Sequence, residues 1–243
     1  MCERDASFID KLDYIICDEI HNLIAFTHIP SVNNYHVLAK MAIEQVVRGS
    51  KATVIALTAT PRKVHQWLQC EVSQIEIDKE RLVQFETKQI IGYNSLKTII
   101  NKTSKYEVGL CYTRQIRKMK EIEAMAIEAE LSPICVWSIN NTEHQMDENQ
   151  LAARKEILEN SAIPPQYNLL IINSSSETSI KIESHVDYVI VDCKDEDSQV
   201  QVRGRVNGDL ERLYVPSDKV SSLDVREDFL NRKLFDSDKE ALC

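Results

Sequence analysis

Glycine is scarce: the five glycines stand at positions 49, 92, 109, 204 and 208, and no two of them are five residues apart. That spacing excludes a Gly-x-x-x-x-Gly-Lys-Ser/Thr phosphate loop from these residues, and with it the nest of backbone N–H groups and the lysine that grip nucleotide phosphates. Gly-x-Ser-x-Gly and Gly-x-Gly-x-x-Gly are also missing, so neither a nucleophile elbow nor a dinucleotide loop is expected. Long hydrophobic runs are missing too. Tyr14-Ile15-Ile16-Cys17 and Leu169-Leu170-Ile171-Ile172 fall far short of the ~20 apolar residues of a membrane span. The opening Met1-Cys2-Glu3-Arg4-Asp5 lacks the basic and apolar regions of a secretory signal, so a cytoplasmic location is expected. The cysteines at 2, 17, 70, 111, 135, 193 and 243 include no Cys-x-x-Cys pair and no close histidine, which argues for reduced thiols over zinc ligands or disulfides.

What remains is a balance of 43% hydrophobic and 28% charged residues, that of a globular protein with a core. A length of 243 residues suits two modest domains or one large one. The net charge of −9 argues against a protein whose whole surface grips nucleic acid, while leaving room for a local basic groove.

β-rich runs alternate with helical stretches, the pattern of a parallel α/β sheet. Residues 13–18 read as a buried strand. Residues 33–48 read as a helix with Leu38, Met41, Ala42 and Val46 on its inner face and Gly49 as C-terminal cap. Residues 53–57 read as a second strand, parallel to the first after a crossover. A new series starts near Gln84: strand 107–112, helix 114–131, strand 133–137, helix 147–160, strands 168–172, 187–192 and 212–215, and helix 224–235. Residues 78–81 are the expected hinge. Arg114, Arg117, Lys118 and Lys120 on the first of those helices read as a solvated charged face. The other histidines, 28, 36, 65, 144 and 185, have no partner at ligand or triad spacing.

Two polar clusters follow the first two strands and so face one crevice. Asp18-Glu19-Ile20-His21 ends the first. Two adjacent carboxylates at a strand tip suit nucleotide hydrolysis, one holding a hydrated Mg²⁺ and the next polarising water; carboxylates entering a helix N-terminus are the plainer explanation of the same residues. Thr58-Ala59-Thr60-Pro61 ends the second strand, with hydroxyls placed to reach the same crevice. Together they resemble the superfamily 2 helicases of the DEAD/DEAH (DExH) type, with Asp18 to His21 as motif II and Thr58 to Pro61 as motif III. Further along, Gln201-Val202-Arg203-Gly204-Arg205 resembles motif VI, and Val108 to Arg114 and Asn173 to Ile182 stand where motifs IV and V belong.

The resemblance covers residues 13–215 and implies two RecA-like parallel-sheet domains, the first incomplete: a partial ATP-binding domain over 1–82 and a C-terminal helicase domain over 83–243. It implies ATP and Mg²⁺ as cofactors and DNA or RNA as partner. Asp18 would hold Mg²⁺ through water, Glu19 would activate water, and Arg205 would act as arginine finger. Thr58, Thr60, His21 and Gln201 would sense nucleotide and couple the domains, and Thr113, Arg114, Ser174, Ser175 and Thr178 would contact the nucleic-acid backbone. The sequence departs from the family in lacking the phosphate loop, in carrying Val206-Asn207-Gly208 where another arginine is usual, and in Ser179 where motif V has glycine. The expectation is therefore an N-terminally truncated motor, inactive alone, whose phosphate loop comes from a separate chain; a non-hydrolytic nucleic-acid-binding or regulatory protein is the alternative. An unrelated α/β enzyme is a third reading, one that would need a nucleophile or cofactor loop of its own.

Overall fold

The computed structural model describes residues 6–27, 35–58, 64, 85–174 and 180–217. The chain divides into two compact units, Met1–Arg81 and Leu82–Cys243. The expected hinge at 78–81 and helix at 224–235 lie outside the described residues.

In the first unit, a short helix α1 (Ala6–Ile9) precedes strand β1 (Tyr14–Cys17) and helix α2 (Ile20–Phe26). Helix α3 (Tyr35–Ala42) widens into a π-helical segment, Ile43–Arg48, before strand β2 (Thr53–Ala56). Strands β1 and β2 pair in parallel, Tyr14 against Thr53 through Cys17 against Ala56. Backbone bonds from Leu57 N–H to Cys17 O (2.9 Å) and Ile20 N–H to Leu57 O (3.2 Å) carry the pairing past both strand ends. Ile20, Ile24, Ile43 and Val64 form the core of this unit, with Cys17, Leu23 and Val47 packed against it.

Two expectations are corrected here. β1 is not buried on both faces: Tyr14 is 65% and Ile16 67% exposed. An unbroken apolar run reads as a strand covered on both faces, whereas exposed Tyr14 and Ile16 alternate with half-buried Ile15 and Cys17, so one face of β1 is open. The helix expected at 33–48 turns a different face inward. Ala39 and Ile43 are buried, while Leu38 is exposed and Met41, Ala42 and Val46 are only half-buried. The π turn adds a residue to the helical turn, and a 3.6-residue period cannot follow that. Gly49 does cap the segment, but in right-handed conformation (φ −100°). Its missing side chain matters because a Cβ would lie 2.9 Å from the Glu44 carbonyl oxygen.

The second unit holds a six-stranded sheet in which every pairing is parallel. Its elements are β3 (Thr87–Tyr93), α4 (Leu96–Ile100), β4 (Gly109–Thr113), α5 (Ile116–Glu128), β5 (Pro133–Val136), α6 (Glu148–Asn160), β6 (Leu169–Ile172), β7 (Tyr188–Asp192), α7 (Glu196–Arg203) and β8 (Leu210–Pro216). The strands lie in the order β3-β8-β7-β4-β6-β5. Side chains alternate across it. Leu110, Tyr112, Leu170, Ile172, Val189 and Val191 meet Ala153 and Ile157 of α6 and Val202 of α7 on one face. Cys111, Ile171 and Ile190 meet Ile99 and Ile100 of α4 and Met119, Ile122 and Ala126 of α5 on the other. This α/β/α sandwich aligns the C-terminal ends of all six strands on one edge.

α6 is closed at its start by a reciprocal cap: Asp147 Oδ1 accepts from Gln150 N–H (2.9 Å), and Gln150 Oε1 accepts from Asp147 N–H (3.0 Å). Asp147→Ala is expected to lower stability by about 1 kcal/mol, read from the midpoint of urea denaturation, with Asp147→Asn losing less. Among the described residues, no helix is long and apolar enough to cross a membrane.

Candidate functional site

The first unit places its polar groups at the C-terminal ends of β1 and β2, the edge where a parallel sheet presents its ligand-binding loops. The chain leaves β1 through Asp18 and Glu19, and Glu19 takes a left-handed backbone, φ 50°. A residue with a side chain holds that conformation at a cost of about 1–3 kcal/mol, and such residues cluster at functional sites. His21, in the first turn of α2, brings Nδ1 to 2.9 Å from the Thr58 hydroxyl oxygen and 3.2 Å from Glu19 Oε2. A single ring nitrogen thus faces both the carboxylate after β1 and the hydroxyl after β2. Protonated, Nδ1 donates; unprotonated, it accepts from the Thr58 hydroxyl, so the tautomer decides which neighbour is bonded. Asp18 is exposed beside this cluster. Thr60 lies outside the described residues.

Exposed Asp18 and the Glu19 carboxylate are hard oxygen donors, the class that suits a Mg²⁺ ion keeping most of its waters. Among the described residues, no group of three or more His, Cys, Asp or Glu is placed to hold a metal. Two carboxylates of this kind would suit only an ion that keeps most of its waters. The residues do not by themselves fit a triphosphate, whose grip requires the missing glycine loop and its lysine.

In the second unit the expected residues also sit at the C-terminal edge of the strands. Thr113 ends β4, but it is 3% exposed and its hydroxyl donates to Asp192 Oδ2 at 3.3 Å. Tyr93, ending β3, donates to Asp192 Oδ1 and to the Val191 carbonyl, both at 3.3 Å. Burial and the Asp192 carboxylate push the Tyr93 phenol far above its ordinary pKa. Asp192 thus ties three strand ends together, a role the sequence reading missed because its partners are distant in the chain. Arg114 follows Thr113 with an exposed guanidinium 3.6 Å from Asp195 Oδ2. Asp195 also caps α7 by accepting from Ser198 N–H at 3.1 Å. Ser174 is exposed after β6; Ser175 and Thr178 lie outside the described residues.

Gln201 and Arg203 are buried on α7, and Arg205 is half-buried in the turn that follows. That turn is clasped on both sides by Ile182: Ile182 N–H donates to Arg205 O and Asn207 N–H to Ile182 O, each at 2.7 Å. Arg203 was absent from the expected site. A second arginine within Gln201 to Arg205 was the one signal in the sequence that could have pointed to it.

No protein-family model and no curated protein matches the sequence. Solved structures do match. The helicase Lhr of Mycobacterium smegmatis, bound to ssDNA and AMP-PNP, superposes with a TM-score of 0.57 at 14% identity, covering 93% of this chain and 32% of that one. S. cerevisiae Dbp5, bound to RNA and ADP BeF3, gives 0.56 at 9% identity, over 91% of this chain and 57% of that one. The DUF1998 helicase MrfA, bound to DNA, gives 0.53 at 16% identity, over 93% and 33%. The chain thus spans less than two thirds of the length of each, and at these identities the likeness establishes the fold. It is the parallel-sheet, RecA-like fold of helicases.

Proposed function

We propose that this chain is part of a nucleic-acid-dependent ATPase of the helicase class, which couples ATP hydrolysis to translocation along or unwinding of DNA or RNA. The observation that carries this reading is the meeting of Glu19, His21 and Thr58 at the ends of two adjacent parallel strands. A hydrolytic site needs a carboxylate to orient water, and a device that reports the phosphate state to the neighbouring strand. Glu19 has the chemistry for the first, and His21 with Thr58 for the second. Asp18 would hold the Mg²⁺, which when bound neutralises charge on the phosphates. Arg205 would supply its fixed guanidinium to the transferred phosphoryl group. Arg114 and Ser174, exposed at the sheet edge of the second unit, would contact the nucleic-acid backbone. Thr60, Ser175, Thr178 and Gln201 complete the proposed set.

The phosphate grip is proposed to come from a segment outside this sequence, on this or another chain. The bare Tyr14 and Ile16 face of β1 supports that, because a parallel strand is stable when both its faces are covered. The lack of the loop also favours a second reading, a non-hydrolytic nucleic-acid-binding or regulatory protein resting on the second unit.

ATP hydrolysis by the purified chain, with and without single-stranded DNA or RNA, tests the proposal that it cannot turn ATP over unaided. Turnover is expected at the level of Glu19→Gln. Stimulated turnover that both Glu19→Gln and Arg205→Ala abolish would overturn the need for an external phosphate loop.

A further inference from the structure

Arg203 is the last residue of α7 and is 6% exposed. Its guanidinium reaches four acceptors in two segments far apart in the chain. Nε donates to the Thr87 hydroxyl at 2.7 Å, and Nη2 to the Glu86 carbonyl at 3.0 Å, where the chain enters β3. Nη1 donates to the Val206 carbonyl at 2.9 Å, and Nη2 also to the Gly208 carbonyl at 3.0 Å, in the turn between α7 and β8. The junction is closed from the other side by Asp209, whose Oδ1 accepts from Glu86 N–H at 2.9 Å. Every one of these acceptors of Arg203 is a neutral oxygen. Burial lowers the pKa of Arg203 and the nearby Asp209 raises it, but a guanidinium stays charged in proteins. A buried charge held by neutral groups is costly, and an apolar side chain would fill the space more cheaply. What the guanidinium adds is a rigid planar fork that fixes the relative positions of its acceptors.

Arg205 sits inside the clamped turn, two residues beyond Arg203 and directly before Val206. We infer that Arg203 is a positioning residue for Arg205: it locks the Arg205-bearing turn to the strand on which the chain enters the second unit. The inference rests on the proposal that Arg205 acts as an arginine finger. A lysine retains the charge but has no planar fork, so Arg203→Lys does not restore the geometry.

The test uses the full chain and two readouts that need no turnover, so failure of the finger proposal and failure of the clamp are separable. Hydrogen exchange is followed at the amides of Glu86, Ile182, Asn207 and Leu210, each bonded within or beside the junction, and the ¹H–¹⁵N Nε cross-peak of Arg205 is followed by NMR. In Arg203→Lys these amides are expected to exchange about ten- to a hundredfold faster, with Cys111 and Ile171 in the central strands unchanged and the Arg205 cross-peak displaced. Thr87→Val, which removes one acceptor and leaves Arg203 in place, moves the same signals by less and serves if Arg203→Lys fails to fold. Uniform acceleration across the sheet, or an unmoved Arg205 cross-peak, would overturn the inference.

Discussion

Gly109→Ala is expected to destabilise the second unit by about 3 kcal/mol or more, beyond the usual range for overpacking. Gly109 opens β4, in the middle of the sheet, paired with Leu169 on one side and Tyr188 on the other. A Cβ there would lie 2.2 Å from both Cε2 and Cζ of Tyr188 and 2.6 Å from its hydroxyl. Atoms in contact need well over 3 Å, so either the ring or the strand must move. The ring has little freedom: Tyr188 is fully buried, its ring meets that of Tyr214 edge-on at 6.3 Å, and the Arg212 guanidinium lies 5.8 Å from its centroid. The strand is held on both edges by parallel ladders. Thermal denaturation should show the melting temperature lowered by about 10 °C, given about 2–4 °C per kcal/mol for a protein of this size. Combining Gly109→Ala with Tyr188→Val should recover part of the loss, because the smaller side chain vacates the space. Strictly additive effects would place the cause elsewhere.

A large effect on activity is expected from Glu19→Gln in a completed motor, made by fusing the strand, phosphate loop and following helix of a helicase of known structure ahead of this chain. Glutamine retains the size of the side chain and an acceptor oxygen facing His21, so the local fold should survive. It cannot take a proton from water, and turnover should fall by about 10²–10⁴-fold. Arg205→Ala in the same protein should cost about 10³-fold or more, the scale seen where an arginine finger is removed. Thr58→Val removes only the hydroxyl that faces His21, and a milder loss is expected, about fivefold to tenfold for one hydrogen bond. A fused protein in which Glu19→Gln and Thr58→Val lower turnover equally would contradict the division of roles between them.

The second unit was far more legible in the sequence than the first. β4, β6 and β7 are central strands whose apolar runs, such as Leu169-Leu170-Ile171-Ile172, are buried along their whole length. Their position matches the periodicity that helices on both faces impose. Helices α5 and α6 fall within the stretches 114–131 and 147–160 where helices were expected. β3 was not picked out, because it lies at the edge of the sheet with Lys88 and Gln89 exposed, so its residues 87–93 carry no clean apolar signal. α4 is five residues long, too short for a period to be counted. In the first unit the π-helical turn and the bare face of β1 each broke a rule that assumes regular helices and strands covered on both sides.

Among the site residues, position along the chain was readable but not company. Strand order put Asp18, Glu19, His21 and Thr58 at a common edge, but the approach of one His21 nitrogen to both Glu19 and Thr58 was not readable from it. Thr113 was expected to face a ligand, and its hydroxyl is instead given to Asp192, which is 79 residues away in sequence. Arg203 is the clearest case. Thr87 and Glu86 lie 116 and 117 residues before it, and only the folded sheet brings them within its reach.

A chain that is part of a nucleic-acid motor, as proposed, should bind single strands by itself. Equilibrium binding of fluorescently labelled oligo-dT and oligo-U to the purified chain, at low and at physiological salt, tests it most directly. Saturable binding is expected at low salt, weakening as salt rises because basic groups displace counterions from the phosphates, with weaker binding for Arg114→Glu. Absence of binding to either strand at low salt, by a chain whose second unit unfolds cooperatively, would contradict it.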